Sequence, residues 1–478
     1  MKIYDRLYKE MKFPPIIMEL LNCPGLLRLR DVRMANNQFV AFPAFAPASR
    51  YEHSLGVCYL SSICAESMKL DEKDALELMI ACLYHDVGTP PFAHAMEEVL
   101  QAKFGFDHEQ NLKELITGTS GFFDGEFAQI FQGQGLKLLS VCQSTKARKL
   151  GLDIHKIARL AVGDEEEILS PLVNGTGMDL DNIDNIFRAS SAMGIINEEC
   201  GEIAKMLASS FCIKDGKVCS NGLYVEQMQK WQKIRDLQYT AIFESIDDFA
   251  YQTMIKKAIM FLLEEDDNAE KLDKNAWRLT DSEITYNYLL KHSKSGEIMR
   301  RVLLCKPFMC LGVFYIKGSG VSTFINTHIK EIEEETGEYF KKLIGKDKEQ
   351  NKKEKNIKEE GYFDKYPVVA NFFPDKRKRS ITNKIYLWDK EIQMQVEKEN
   401  TQGALLGLFT PFGNGYYKET KVNGKTQRKS VTIRKKDLEE ICDILKEGSL
   451  RNFEISLYGR EKNARIDSKL EASQLGFF

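Results

Sequence analysis

The chain has 478 residues, 43% of them apolar and 29% charged, with a formal charge of −3. That length and apolar content suit one large domain or two to three ordinary ones, and the near-neutral balance excludes a global pull toward nucleic acid, so any polyanion site has to be a local cluster. No apolar run approaches the roughly 18 residues needed to span a bilayer, the start lacks a secretory apolar stretch, and eleven scattered cysteines without a Cys-x-x-Cys read as reduced and buried; the expectation is a cytoplasmic protein with no membrane segment and no structural disulfides.

The first two-thirds of the chain read as helical. Apolar residues recur at helical spacing over 71–82, 189–207, 223–255 and 255–263, with few glycines inside. Turn pairs between β-forming residues predict short hairpins at 212–219 and at 421–425. From 331 to 360 the sequence becomes Lys/Glu-rich, with eight lysines and five acids between 341 and 360. That pattern predicts a solvated helix or a linker. Residues 361–478 mix aromatic and β-prone stretches with a final helix around 436–448. The expected fold class is therefore mainly α, a helical core over 1–330 with short β-hairpins, joined by the charged stretch at 331–360 to a smaller mixed α+β subdomain over 361–478.

Chemistry concentrates between residues 50 and 190. Four of the seven histidines, His53, His85, His94 and His108, lie in the first part of that span, and such clustering beside carboxylates outweighs the bland reading of a lone core histidine. His85 and Asp86 are adjacent at the end of an apolar helix, so they can meet at one metal only if other helices supply further ligands. The stretch Asp179-Leu-Asp-Asn-Ile-Asp-Asn-Ile-Phe-Arg188 places Asp181, Asp184 and Arg188 on one helical face. Asp179 reads as its N-cap and Asp184 with Arg188 as an i, i+4 pair. Asp181 then remains for the metal. A His53, His85, Asp86 and Asp181 set offers two neutral nitrogens and two anionic oxygens, an environment suited to Mn, Fe or Zn, and a metal so held polarises a phosphoryl oxygen and activates water.

The order Arg-x-x-His-Ser-Leu-Gly from Arg50, His-Asp-x-Gly-x-x-Pro-Phe-x-His-x-x-Glu from His85, and Asp-x-Asp-x-x-Asp from Asp179 resembles the HD-domain deoxynucleoside triphosphate (dNTP) triphosphohydrolases, which include the bacterial dGTPases and the vertebrate dNTPase restriction factor. The likeness covers about Leu26 to Gly312, with Arg28-Leu-Arg30 and Phe42-Pro43 upstream and the segment from Arg278-Leu-Thr-Asp281 downstream. It implies an HD-domain helical core and hydrolysis of a dNTP to deoxynucleoside and inorganic triphosphate, with His53, His85, Asp86 and Asp181 on the divalent metal and room for additional Mg.

His94, paired with Glu97 on one helical face, takes the role of general acid toward the leaving 5′ oxygen; the bland reading of that pair is local capping. Arg50, His108, Asn185 and Tyr251 take substrate contacts, with an ordinary core aromatic as the bland reading of Tyr251. Departures concern the sugar and one loop position: Met34-Ala35 and Ala189 stand where family members read the sugar, and Thr89 stands where many have a histidine.

The resemblance further implies dNTP as substrate, a homo-oligomer (tetramer or hexamer), and an activating or inhibiting nucleotide at subunit contacts. Basic clusters at 376–379, 425–429 and 434–436 are candidates for such an allosteric pocket or for nucleic-acid contact. Lowering of dNTP pools in antiviral or anti-phage defence follows as the expected role. Two other classes fit the metal set, an HD nuclease or phosphodiesterase acting on nucleic acid or a signalling nucleotide, and a non-catalytic nucleotide sensor.

Overall fold

The computed structural model describes residues 2–35, 41–119, 144–175, 178–196, 200–220, 222–264, 272–346, 367–374, 403–411, 418–422, 425–429 and 433–458. The chain is mainly α-helical with a few small antiparallel sheets. Contacts group the described residues into two units. The first is built on residues up to 248 and on 255–305, the second on 249–254 and on described residues from 306 onward.

In the first unit, two helices bury most of their length. One is Arg50–Met68, which buries His53, Ser54, Leu55, Gly56, Val57 and Cys58 in succession; the other is Glu72–Tyr84, buried without a break from Leu76 to Tyr84. They pack on each other. The first also packs against Leu180–Ala192 and Cys200–Ser209, and the second against Ile154–Val162, which in turn contacts His108–Thr117. Helix starts are written in short polar side chains: Ser49 accepts from the Glu52 N–H, Asp71 from Asp74, Asp107 from Glu109 and Gln110, and Asp179 from Asn182, each satisfying donors that a first turn leaves open. Asp179 is thus the N-cap its position suggests.

Two long helical readings are broken. The pattern over 189–207 divides into Leu180–Ala192 and Cys200–Ser209, because Gly194 at φ +73 turns the chain out of the helix. The pattern over 223–255 divides at Ser245 into Val225–Glu244 and Ile246–Glu264; the Ser245 hydroxyl donates to the Asp248 carboxylate, a local bond that competes with continued helix. The hairpin expected at 212–219 is present, with Cys212 opposite Cys219. A second hairpin, Ile3–Asp5 with Lys9–Met11, has no Asn-Gly or Asp-Gly turn and carried no sequence signal.

The second unit is a four-stranded antiparallel sheet in the order Glu454–Leu457, Met309–Lys317, Gly403–Thr410, Val369–Pro374. Every residue of Gly403–Thr410 is buried, as a central strand covered on its faces must be. The helices Val321–Lys346 and Lys435–Glu447 supply Ile325, Ile332, Phe340, Ile441 and Leu445 to its core. This corrects two expectations. The boundary placed at 330 falls inside the Val321–Lys346 helix, and the first part of the Lys/Glu-rich stretch is an amphipathic helix with Ile332 and Phe340 fully buried, because apolar residues interleaved at helical spacing outweigh the charges around them. Residues 347–366 lie outside the described residues.

The strands Lys418–Val422 and Lys425–Lys429 form the hairpin anticipated around 421–425. Lys376 to Arg379 lies outside the described residues, and Arg434 is the N-cap residue of the last helix, held to Asp437. Among the described residues no helix is long and apolar enough to cross a membrane.

Candidate metal centre and active site

Three helices deliver the expected ligands to one point. His53 projects from the first turn of Arg50–Met68, His85 and Asp86 follow the end of Glu72–Tyr84, and Asp181 lies in the first turn of Leu180–Ala192. His53 Nε2 is 2.8 Å from Asp181 Oδ1, 3.3 Å from His85 Nε2 and 3.9 Å from Asp86 Oδ2. His85 Nε2 is 3.6 Å from Asp86 Oδ2 and 3.7 Å from Asp181 Oδ1. His53, His85 and Asp181 form a group able to hold a metal ion among the described residues.

The donor chemistry fits a divalent cation. His85 Nδ1 lies 2.7 Å from the Cys82 carbonyl, which can only accept, so Nδ1 carries a proton and Nε2 is the nitrogen turned toward Asp86 and Asp181. His53 Nδ1 likewise faces the Asp184 carboxylate at 2.7 Å. An outer acceptor on Nδ1 is the arrangement that fixes the ligating tautomer in metal-bound histidines. Burial disfavours a charged His53, but the bonds to Asp181 and Asp184 outweigh it and push its pKa up to about 10. A metal held at Nε2 would replace the proton that faces Asp181, while Nδ1 would keep the proton bonded to Asp184.

Asp86 accepts three hydrogen bonds from two residues. Arg50 Nη1 donates to both its oxygens at 2.7 and 2.8 Å, and the Thr89 hydroxyl donates to Oδ1 at 3.0 Å. Burial favours protonation of Asp86, yet Arg50, His85 and His53 hold its carboxyl well below the usual range, so it stays anionic. Thr89 therefore has a defined partner. Arg50, expected on the substrate, has its Nη1 on Asp86; burial opposes its charge, and Asp86, Asp181 and Glu97 together favour it.

Glu97 joins a second group. Its Oε2 is 3.2 Å from His94 Nδ1 and its Oε1 is 2.5 Å from His108 Nδ1, so one carboxylate serves both histidines. Burial raises the Glu97 pKa, but the bonds to His108 and His94 hold it well below the carboxylate range; the same bond to Glu97 raises the pKa of His108. The His94 side chain is 68% exposed, leaving its imidazole open to a bound molecule.

Asp184, which the sequence offered only as a partner of Arg188, carries more. It accepts from His53 Nδ1, from Arg188 Nε and Nη2 at 2.8 and 3.0 Å, and from the Tyr8 hydroxyl at 2.7 Å, while Arg188 Nη1 reaches Asp5 at 2.8 Å. Asp184 and Arg188 are fully buried. Gly56 permits this, since a Cβ there would lie 1.9 Å from Asp184 Oδ2. The i, i+3 placement of Asp181 and Asp184, both toward His53, is the signal that could have found it. Replacing Asp184 by alanine is expected to weaken metal binding by about 10- to 100-fold and to destabilise the fold by about 3–5 kcal/mol, as removal of one partner strands a buried charge; metal titration and denaturant unfolding check both.

The remaining substrate candidates differ in their setting. Asn185 is half-buried one helical turn beyond Asp181. Tyr251, expected to stack on a sugar, is only 1% exposed and belongs to the 249–254 segment of the second unit; a core aromatic is buried in this way, and no open ring face is left for stacking. Met34, Ala35 and Ala189 come together in one apolar cluster with Phe42 and Phe45, so the substitutions at these positions belong to a single packed patch.

Comparison with known proteins bears on this centre. Residues 50–126 match the HD domain family. The chain carries an HD domain. The HD region is similar to deoxynucleoside triphosphate triphosphohydrolase SAMHD1 of Bos taurus, 30% identical over 136 residues, or 26% of this chain and 23% of that protein. It is also similar to the SAMHD1 homolog of Dictyostelium discoideum, 32% identical over 117 residues, 22% and 23% of the two chains, and to an uncharacterized protein of Methanocaldococcus jannaschii, 31% identical over 108 residues, 22% of each. The likeness to HD-domain dNTP triphosphohydrolases read from the motifs is thus shown over the HD domain, and it spans less than a quarter of the length of these relatives. In structure, a hypothetical protein from Aquifex aeolicus shares the fold at a TM-score of 0.57, with 19% identity over 86% of this chain and 96% of that one.

Proposed function

We propose that the HD domain catalyses metal-dependent hydrolysis of deoxynucleoside triphosphates to deoxynucleoside and inorganic triphosphate, lowering dNTP pools. The observation that carries this reading is the presence of two groups: His53, His85 and Asp181 with Asp86 beside them, and the Glu97 carboxylate shared by His94 and His108. The four ligands would hold Mn, Fe or Zn, and an additional Mg would accompany the triphosphate. When bound, the cation supplies Lewis acidity toward a phosphoryl oxygen and a water of lowered pKa.

The chain's own residues do the rest. Arg50 and Thr89 keep Asp86 anionic and aimed. Glu97 holds the Nδ1 proton of His94, so that Nε2 faces outward and donates a proton to the leaving 5′ oxygen. His108, its pKa raised by the same carboxylate, is placed for a phosphate oxygen, and Asn185 for a sugar hydroxyl. Homo-oligomerisation as a tetramer or hexamer, with a regulatory nucleotide at subunit contacts, belongs to the same reading.

The test is an incubation of purified protein with each dNTP, each NTP and single-stranded DNA across Mn, Mg, Fe, Zn and Co, with products separated chromatographically. Release of intact triphosphate from dNTPs is the expected result. Nucleoside monophosphates or shortened DNA would instead establish an HD phosphodiesterase or nuclease, and binding without turnover a sensor.

A further inference from the structure

The loop from Val87 to Ala93 joins the His85-Asp86 pair to the helix His94–Phe104. Its last two residues, Phe92 at φ +55 and Ala93 at φ +46, are non-glycine residues in positive-φ backbone. L side chains keep such a conformation only where the surroundings over-determine it. Both residues are buried, the Ala93 N–H donates to the Pro90 carbonyl at 3.0 Å, and one side-chain carboxylate reaches the turn from another segment. Asp281, 2% exposed, accepts from the Phe92 N–H at 2.8 Å through Oδ1 and from the Arg33 N–H at 3.1 Å through Oδ2.

The same region grips the other end of the loop. The buried Arg28 donates through Nη2 to the carbonyls of Val87 at 3.1 Å and Thr89 at 2.5 Å, and through Nη1 to those of Trp277 at 3.1 Å and Leu279 at 2.8 Å. Asp281 is itself fixed. It opens a helical turn behind the Thr280–Glu283 capping box, and the next residue, Ser282, donates to Asp31 from both its N–H and its hydroxyl. Arg28 therefore sets the loop where it leaves the metal ligands, and Asp281 sets it where it delivers His94.

We propose that Asp281 is a positioning residue for His94: its carboxylate fixes the Phe92-Ala93 turn and thereby the direction in which the His94 imidazole meets the leaving oxygen. This rests on the reading of His94 as general acid. Asp281 reaches the loop through the Phe92 N–H and the Val32–Met34 segment through the Arg33 N–H, so exchange in the loop itself is the readout that assigns its effect.

Asp281→Ala is compared with the wild type in two backgrounds, native and His94→Ala, by turnover, metal content and hydrogen exchange of the peptide spanning 87–97. Turnover is expected to fall by about 10²-fold in the native background, the cost of a misplacement of about 1 Å, with KM and metal content unchanged and exchange faster in that peptide. In the His94→Ala background the second substitution is expected to cost nothing further, since both changes remove one function. Asp281→Asn, which keeps one acceptor for Phe92, is expected to lose less and guards against simple misfolding of the alanine variant. Unchanged exchange in the 87–97 peptide would overturn the proposal, as would an equal loss of turnover in both backgrounds. Wild-type protein that releases no triphosphate would overturn the hydrolase reading by itself, and the exchange experiment would still decide whether Asp281 holds the turn.

Discussion

Asp181→Asn is expected to strip the metal from the protein and to abolish hydrolysis. The substitution keeps the shape of the side chain and removes one of the two anionic oxygens, leaving a single carboxylate, Asp86, against the cation. Asp86 is already shared with Arg50 and Thr89, so it cannot compensate. Asp181 Oδ1 is also the oxygen nearest His53 Nε2, at 2.8 Å, and its loss releases that imidazole. Turnover is expected to drop by on the order of 10³-fold or more, because water that has lost its cation returns from a pKa of about 7 toward about 15.7. Asp181 is one-third exposed, so the fold itself should survive. Elemental analysis of the purified variant beside its thermal unfolding gives the answer; full metal occupancy with wild-type triphosphate release would remove Asp181 from the ligand set.

The second large effect is expected from His94→Ala, with turnover down by about 10²–10⁴-fold, the usual contribution of a positioned general acid. Metal content should stay at the wild-type level, since His94 is bonded to Glu97 and belongs to the other group. Stability should hardly change, because its side chain is largely in solvent. Loss of metal in this variant would make His94 a ligand. Unchanged turnover would assign leaving-group protonation elsewhere, with His108, bonded to the other oxygen of Glu97, the first alternative.

Much of this was written locally. Apolar residues at helical spacing mark the Glu72 helix, and Asp179 marks a helix start because a short oxygen acceptor satisfies the open donors there. The pairing of His94 with Glu97 follows from an i, i+3 spacing on one helix. What was misread was also local in origin. The breaks at Gly194 and Ser245 interrupt periodic apolar patterns that a window of sequence cannot tell from a continuous helix, and the helix Val321–Lys346 hides its buried stripe among charges.

The sequence by itself determined the residue types of the centre, the helices that carry them and the likeness to HD-domain dNTP triphosphohydrolases, because each of those is a matter of spacing along one segment. Only the tertiary structure decided that Asp184 orients His53 from 131 positions away, that Tyr8 donates to Asp184 and Asp5 accepts from Arg188 at the N-terminal hairpin, and that Asp281 bonds to the turn before His94. Those partners are joined by buried hydrogen bonds between segments far apart in the chain; spacing along one helix, as between Asp181 and Asp184, shows a shared face but not the side chain that face meets. Burial decided Tyr251 in the same way, since the sequence showed an aromatic ring and only packing showed that its faces are covered.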